Sequence, residues 1–221
     1  MISLFLINAL GILIIPFLIH ISQLNKKKIY LHNNIDNITI YQYIYYSLLY
    51  IFNTSICNLI VVYIFNIQIY HTNYYNIYDF FSLIITLITL EFISYIIHRI
   101  QHIPFIYKLS HIHHHQKKYV NIWMTYFSNP LDYLMTSIPL SIIMPLIIKL
   151  HYINHIILSL LSTYILNVIH SEYDTSNGHH NVHHLYPHYN FSACSEYTDI
   201  LFGTYMSPEK VLIKNNNKKK D

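Results

Sequence analysis

An all-α, polytopic membrane helix bundle is the fold class that this 221-residue sequence predicts: four to five membrane segments with a cytosolic, histidine-rich helical cap. Three observations carry that expectation. Hydrophobic residues make up 53% of the chain and charged residues only 10%. A soluble domain carries about 25% charge, and a disordered chain is poor in apolar residues, so both classes are excluded. Apolar runs near the roughly 20 residues that cross a bilayer recur along the sequence. The third observation is 17 histidines against ten acidic residues, gathered at the ends of those runs. The two cysteines, Cys57 and Cys194, are too few for a disulfide framework or a four-thiolate zinc site.

The first apolar segment covers residues 1–21 and is uncharged except for the terminus. No Lys or Arg precedes Lys26, and Ala9 is the only nearby alanine. It therefore reads as a span rather than a cleaved signal peptide, which needs a positive n-region and a small-residue cleavage site. A second segment runs over 43–69 and a third over 80–97, broken only by Glu91. The fourth and fifth, 134–148 and 152–169, are short, and the fourth carries Pro139 and Pro145; this pair is expected either to cross or to dip in as a hairpin. Twelve of the thirteen basic residues follow the first, third and fifth segments, leaving only Lys149 opposite. Positive charge marks the cytoplasmic side, which puts the histidine clusters in the cytosol and the N-terminus on the other side. The expected division is membrane spans and loops over 1–79, a catalytic region over 80–208 and a low-complexity basic tail over 209–221.

Isoleucine, asparagine, lysine and tyrosine are abundant enough to reflect A/T-rich codons, which weakens any reading of aromatic belts; histidine escapes that explanation. The third segment ends in His98 and His102, four apart and so on one helical face. His111, His113, His114 and His115 follow, then His170 at the end of the fifth segment, then His179, His180, His183 and His184. Two clusters repeat one spacing, His-x-x-His-His, at 111/114/115 and 180/183/184. With His98 and His102 that makes eight imidazoles, and His170 is a ninth. A lone histidine is ordinarily a satisfied surface group, and a structural zinc site needs four ligands. Eight or nine imply two metal ions, and imidazole suits zinc, copper, iron and nickel. His113 and His179 read as extra members of their clusters, and His188 as either. His20, His32, His71, His151 and His155 read as structural, and Trp123 as an interface anchor.

These boxes, HRIQH at 98–102, HIHHH at 111–115 and HNVHH at 180–184, resemble the fatty acid hydroxylase superfamily. That group includes sterol desaturases, sterol methyl oxidases and sphingolipid hydroxylases. The surroundings are similar too: Glu91 and Tyr95 before the first box, IPFIYKLSHIHHHQ into the second, HSEYD at 170–174 and DILFGT at 199–204. The sequence departs from the family at Asn181, where Asp is usual, and at Asn190-Phe191-Ser192, where Asn-Tyr-Gly is usual. What the resemblance implies is a non-haem centre of two iron ions that uses dioxygen to hydroxylate or desaturate a lipid, sterol or fatty-acyl/sphingoid. With no targeting signal beyond the spans, the endoplasmic reticulum membrane is the default expectation. The implied metal-binding and catalytic residues are His98, His102, His111, His114, His115, His180, His183 and His184, with His170 as a further ligand. Glu91, Asp174 and Asp199 would support them from outside, Glu91 by accepting from a metal-bound histidine. No dinucleotide fingerprint is present, so electrons are expected from an external donor, a membrane cytochrome of the b type with its reductase. No nucleic-acid partner is expected.

The competing class is a non-catalytic histidine-rich metal-binding or transport protein. A transporter places ionisable residues along a path inside its spans, whereas here Glu91 stands nearly alone and the histidines collect at one face. A zinc protease would need H-E-x-x-H, and Arg99 occupies the glutamate's place.

Overall fold

The computed structural model describes residues 2–23, 40–59, 63, 70–71, 73–118, 120–171, 178–209 and 211. The expected features at Lys26–Lys28, at His32, at Asp174 and in the basic tail from 212 onward lie outside them. The architecture is helical, in agreement with the predicted class. Three helices form its long members: α1 (Ile2–Gln23), α3 (Ile77–Gln101) and α7 (Tyr152–Ile169). Each contains a stretch long and apolar enough to cross a membrane: Leu6–Gln23, Ile77–Gln101 and Tyr152–Ile169.

Among the described residues only these three helices meet that requirement, so the expected four to five segments are not all matched by crossing helices. The second segment forms α2 (Ile40–Leu59), which reaches crossing length but carries Gln42, Asn53, Thr54, Ser55 and Asn58. Most of residues 60–69 lie outside the described set. The fourth segment is broken into α5 (Pro130–Ile138), a π-helical turn at Pro139–Ile143 and α6 (Met144–Ile147). The physical cause is its prolines, which lack the backbone N–H and interrupt the hydrogen-bond ladder.

Local sequence explains where α3 begins. The Asn76 side chain accepts from the Tyr78 backbone N–H at 2.8 Å, and Asp79 reaches back to the Asn76 N–H at 2.9 Å. This capping box satisfies donors that a helix start leaves orphaned. Near that end, a short parallel pairing of β1 (Tyr70–His71) with β2 (Leu150–His151) ties α3 to α7. Asn154 donates to the Asp79 carbonyl at 2.6 Å, and His71 Nε2 lies 3.1 Å from the Asp79 carboxylate. Polar groups therefore close this end of the bundle.

The first two helices are joined by aromatic packing. Tyr43 is fully buried and donates to the Ile12 carbonyl at 2.7 Å. Trp123, expected as an interface anchor, instead packs half-buried inside the protein, 5.3 Å from Tyr43 and 5.0 Å from Phe17 by ring centroids. At the other end, Ser171 donates to Gln23 at 2.7 Å, binding the ends of α1 and α7 together beneath the histidines.

Candidate metal centre

Four pieces of chain bring the histidines together. His98 is on the last turn of α3 and His102 caps it. After the short α4 (Pro104–Ile106), a π-helical turn over Tyr107–His111 and a 3-10 turn over His114–Gln116 deliver the second box. His170 caps α7, and α8 (His179–Leu185) delivers the third box. The nine imidazoles named from sequence fall into two groups, His98, His102, His111, His115 and His183 in one and His114, His170, His180 and His184 in the other. Within each group the ligand nitrogens lie within 4.8 Å of one another. A metal with bonds of about 2.1 Å separates opposite nitrogens by about twice that length, so either group is of a size to hold an ion. The groups are neighbours: His111 stacks on His114 at 5.1 Å and His115 on His184 at 4.6 Å between ring centroids.

The hydrogen bonds fix what the inner nitrogens offer. His98 Nδ1 meets the Phe191 carbonyl at 2.6 Å, His183 Nδ1 that of Tyr189 at 2.6 Å, and His170 Nδ1 that of Leu166 at 2.7 Å. His114 and His184 meet the carbonyls of Phe127 and Lys117, each at 3.2 Å. A carbonyl only accepts, so each of these Nδ1 atoms carries the proton and leaves Nε2 with its lone pair. The Nδ1 of His111 likewise donates, to the Asp132 carboxylate. Yet the Nε2 atoms of His98 and His111 are 3.1 Å apart and those of His114 and His170 3.2 Å. In these two pairs the facing lone pairs repel unless a cation lies between them. His102 Nε2, His184 Nε2 and both nitrogens of His180 are buried without a hydrogen-bond partner among the described residues, an arrangement that costs free energy unless a ligand compensates. The donor set therefore fits metal ions.

Electrostatics point the same way. Burial, reinforced by neighbouring imidazoles, holds His102, His111, His114, His115, His180, His183 and His184 below the usual histidine range. Burial pushes His170 down to about 4. A metal needs the neutral ring, and these rings are neutral without one.

The supporting carboxylates differ from expectation. Glu91 was expected against a metal-bound histidine. Its carboxylate instead accepts from the hydroxyls of Ser192, Ser195 and Thr198 and from the backbone N–H groups of Cys194 and Ser195. It reaches His98 only through the loop that carries Phe191. Asp199, on α9 (Glu196–Leu201), is fully buried and clamps the same loop, accepting from the Phe191 and Ser192 N–H groups at 2.9 Å each and from Thr204 at 2.7 Å. Burial alone would raise its pKa; His179 at 3.1 Å, Thr204 and those backbone donors outweigh it and hold the carboxyl below its usual range. Asn190 adopts the left-handed conformation (φ 58°) and pins the loop from the other side, exchanging hydrogen bonds with Met206 at 2.7 and 2.9 Å.

The residue that sequence reasoning missed is Asp132. Its carboxylate accepts from His111 Nδ1 at 2.8 Å, from the Gln101 amide and from the Ser128 hydroxyl. Asn129-Pro130 before it is a helix-start signal that places an acid in the first turn of α5, which was the available clue. The extra histidines stay outside both groups: His113 stacks on Phe127 and meets the Tyr46 hydroxyl at 3.4 Å, His179 pairs with Asp199, and His188 is exposed. Beneath the two groups lies a cavity of about 260 Å³ that runs between α1, α2, α3, α5 and α7. His98, His111, His114, His170 and His180 line one end of it, and Leu87 on α3 and His155 on α7 line the other.

Apolar helices with paired histidine groups above an internal cavity define a histidine-box membrane protein able to bind metal. Residues 83–204, more than half of the chain, match the fatty acid hydroxylase family, and the chain belongs to that family. It is similar to the Delta(7)-sterol 5(6)-desaturase of Eremothecium gossypii, 30% identical over 130 residues that make up 56% of this chain and 37% of that protein. The corresponding protein of Saccharomyces cerevisiae is 31% identical over 122 residues, 52% of this chain and 33% of that one. The matched region thus spans about a third of the length of these curated relatives. No solved structure gives a significant match.

Proposed function

We propose that this protein is a membrane-bound lipid oxidoreductase that uses dioxygen to hydroxylate or desaturate a sterol-type lipid at a centre of two non-haem irons. The observation that carries the reading is the cavity, which runs between the apolar helices to members of both histidine groups at once. Bound iron would supply dioxygen activation and the oxidation of an unactivated C–H bond. The chain's own residues do the rest. Leu87, Leu90, Ile97, Leu161 and Leu166 line the slot and accept the apolar body of the substrate. Carbonyls of Phe191, Phe127, Leu166, Tyr189 and Lys117 hold the ring protons on Nδ1, so that Nε2 faces inward. Burial of the histidines keeps bulk water from the reacting carbon. The eight box histidines and His170 are the proposed ligands, with Asp199 and Glu91 stabilising the loop behind His98.

The names of the relatives support a sterol-type substrate over a fatty-acyl or sphingoid one. Electrons come from an external donor, for which a cytochrome of the b type with its reductase is proposed. The histidine face is assigned to the cytosol and the protein to the endoplasmic reticulum membrane, on the distribution of basic residues and on the kind of relative. The division at 1–79, 80–208 and 209–221 stands with this proposal.

The test is metal analysis of detergent-purified protein beside a His98→Ala/His183→Ala double variant, followed by lipid turnover with dioxygen and a reductase system. Two irons per chain in the parent, diminished in the variant, together with product formed only by the parent, is the expected result. Single changes of His114, His115, His183 or His184 to Ala should abolish turnover while the protein stays in the membrane. A folded parent that binds no metal, or four single variants that retain activity, would overturn the assignment.

A further inference from the structure

The geometry points to Asp132 as a positioning residue that makes the two metal sites unequal, so that the group of His98, His102, His111, His115 and His183 holds its ion more tightly than the other group. This rests on reading both groups as metal sites and adds which one dominates and why. Among the described residues, Asp132 supplies the one carboxylate that meets any of the nine histidines; the Nδ1 atoms of His98, His114, His170, His183 and His184 meet backbone carbonyls instead. A carboxylate behind an imidazole makes it a better donor than a neutral carbonyl does, and such partners are worth about 10- to 100-fold in metal affinity. The same group also offers five nitrogens against four.

Asp132 is itself held in place. It is 3% exposed, Asn129 caps its backbone N–H at 3.0 Å, and Ser128 donates to its second oxygen. Gln101, one residue before His102, donates to the same oxygen that accepts from His111. Asp132 thereby locks α3, the turn carrying His111 and α5 into one register, and it sets the spacing between His98, His102 and His111. In the other group, His180 has no hydrogen-bond partner among the described residues on either nitrogen, so no comparable link holds its ring.

The experiment uses the full-length protein in detergent, reconstituted with cobalt(II), whose ligand-field spectrum reports its ligands. A chelator titration of the parent should release cobalt in two phases, and His170→Ala should remove the weaker one. Asp132→Asn, nearly isosteric, should shift the tighter phase about 10- to 100-fold toward release and leave the weaker phase in place as an internal control for folding. Asp132→Glu should recover part of the loss. In a His170→Ala background Asp132→Asn should empty the protein further, and in a His98→Ala background it should add little. An unchanged titration in Asp132→Asn, loss of both phases together, or a parent whose two ions leave at one chelator concentration would each overturn the inference. A parent that takes up no cobalt would instead refute the metal-site reading beneath it.

Discussion

Neutral imidazoles packed against one another are the residue-scale fact on which the rest depends. His170 is pushed to about 4 by burial, whereas an unfolded histidine titrates near 6.5. As pH falls below about 6.5 the unfolded chain takes up a proton that the folded one refuses. The contribution of His170 is therefore fully present above that value and is lost progressively toward pH 4, at up to about 1.4 kcal/mol per pH unit. The seven other box histidines that burial lowers outside the spans, His102, His111, His114, His115, His180, His183 and His184, add terms of the same sign. Chelator-treated protein should melt at a distinctly lower temperature at pH 5.5 than at pH 7.5; equal melting temperatures would show that the imidazoles are not buried as neutral rings. The spacing 98/102, 111/114/115 and 180/183/184 made these side chains legible in sequence, because metal-binding histidines repeat at helical intervals. Glu91 was legible as a costly charge inside an apolar helix, but its position says which way it points and not what stands opposite. Serines and a threonine, Ser192, Ser195 and Thr198, stand there. Asp132 was harder still, since nothing in its own neighbourhood names a histidine 21 residues earlier.

At the scale of elements, boundaries were readable where local chemistry sets them and not where packing does. Asn76 and Asp79 announce α3, and Pro139 and Pro145 announce the broken fourth segment, but whether that segment forms a crossing helix depends on its neighbours. The contact of α1 with α7 depends on Gly11. A Cβ at that position would lie 2.6 Å from Leu160 Cδ2, so the two helices approach closely because no side chain intervenes, a common device between membrane helices. The obstructing atom is the end of a flexible side chain, and alanine gains about 1 kcal/mol in helix propensity over glycine. Gly11→Ala should therefore leave thermal stability nearly unchanged. Gly11→Phe cannot be accommodated by turning one methyl group and should cost about 1–3 kcal/mol through overpacking. Thermal unfolding of both variants in one detergent decides it: equal effects would mean that α1 and α7 are not in intimate contact.

For the whole molecule, composition alone announced an apolar bundle with a histidine-rich end, since 53% hydrophobic and 10% charged residues leave few other ways to fold. The cavity was not announced, because an internal space arises where helices fail to fill the distance between them, and no spacing in one helix encodes its neighbours. That space separates two functions that sequence places in one stretch of chain: holding metal at the top and accommodating a lipid below. Ser162 tests the separation. It lines the cavity on α7, eight residues before His170 and so about 12 Å below it along the helix. Ser162→Phe inserts a ring into the slot without reaching the imidazoles. Overpacking of about 1–3 kcal/mol against a bound lipid corresponds to a roughly 5- to 150-fold loss of turnover, with both irons retained. Bulky ring-containing lipids should suffer more than slender chains, because only the chain can bend past the new side chain. Unchanged turnover with metal intact would place the substrate outside the cavity, and loss of iron would show that slot and centre are one packed unit.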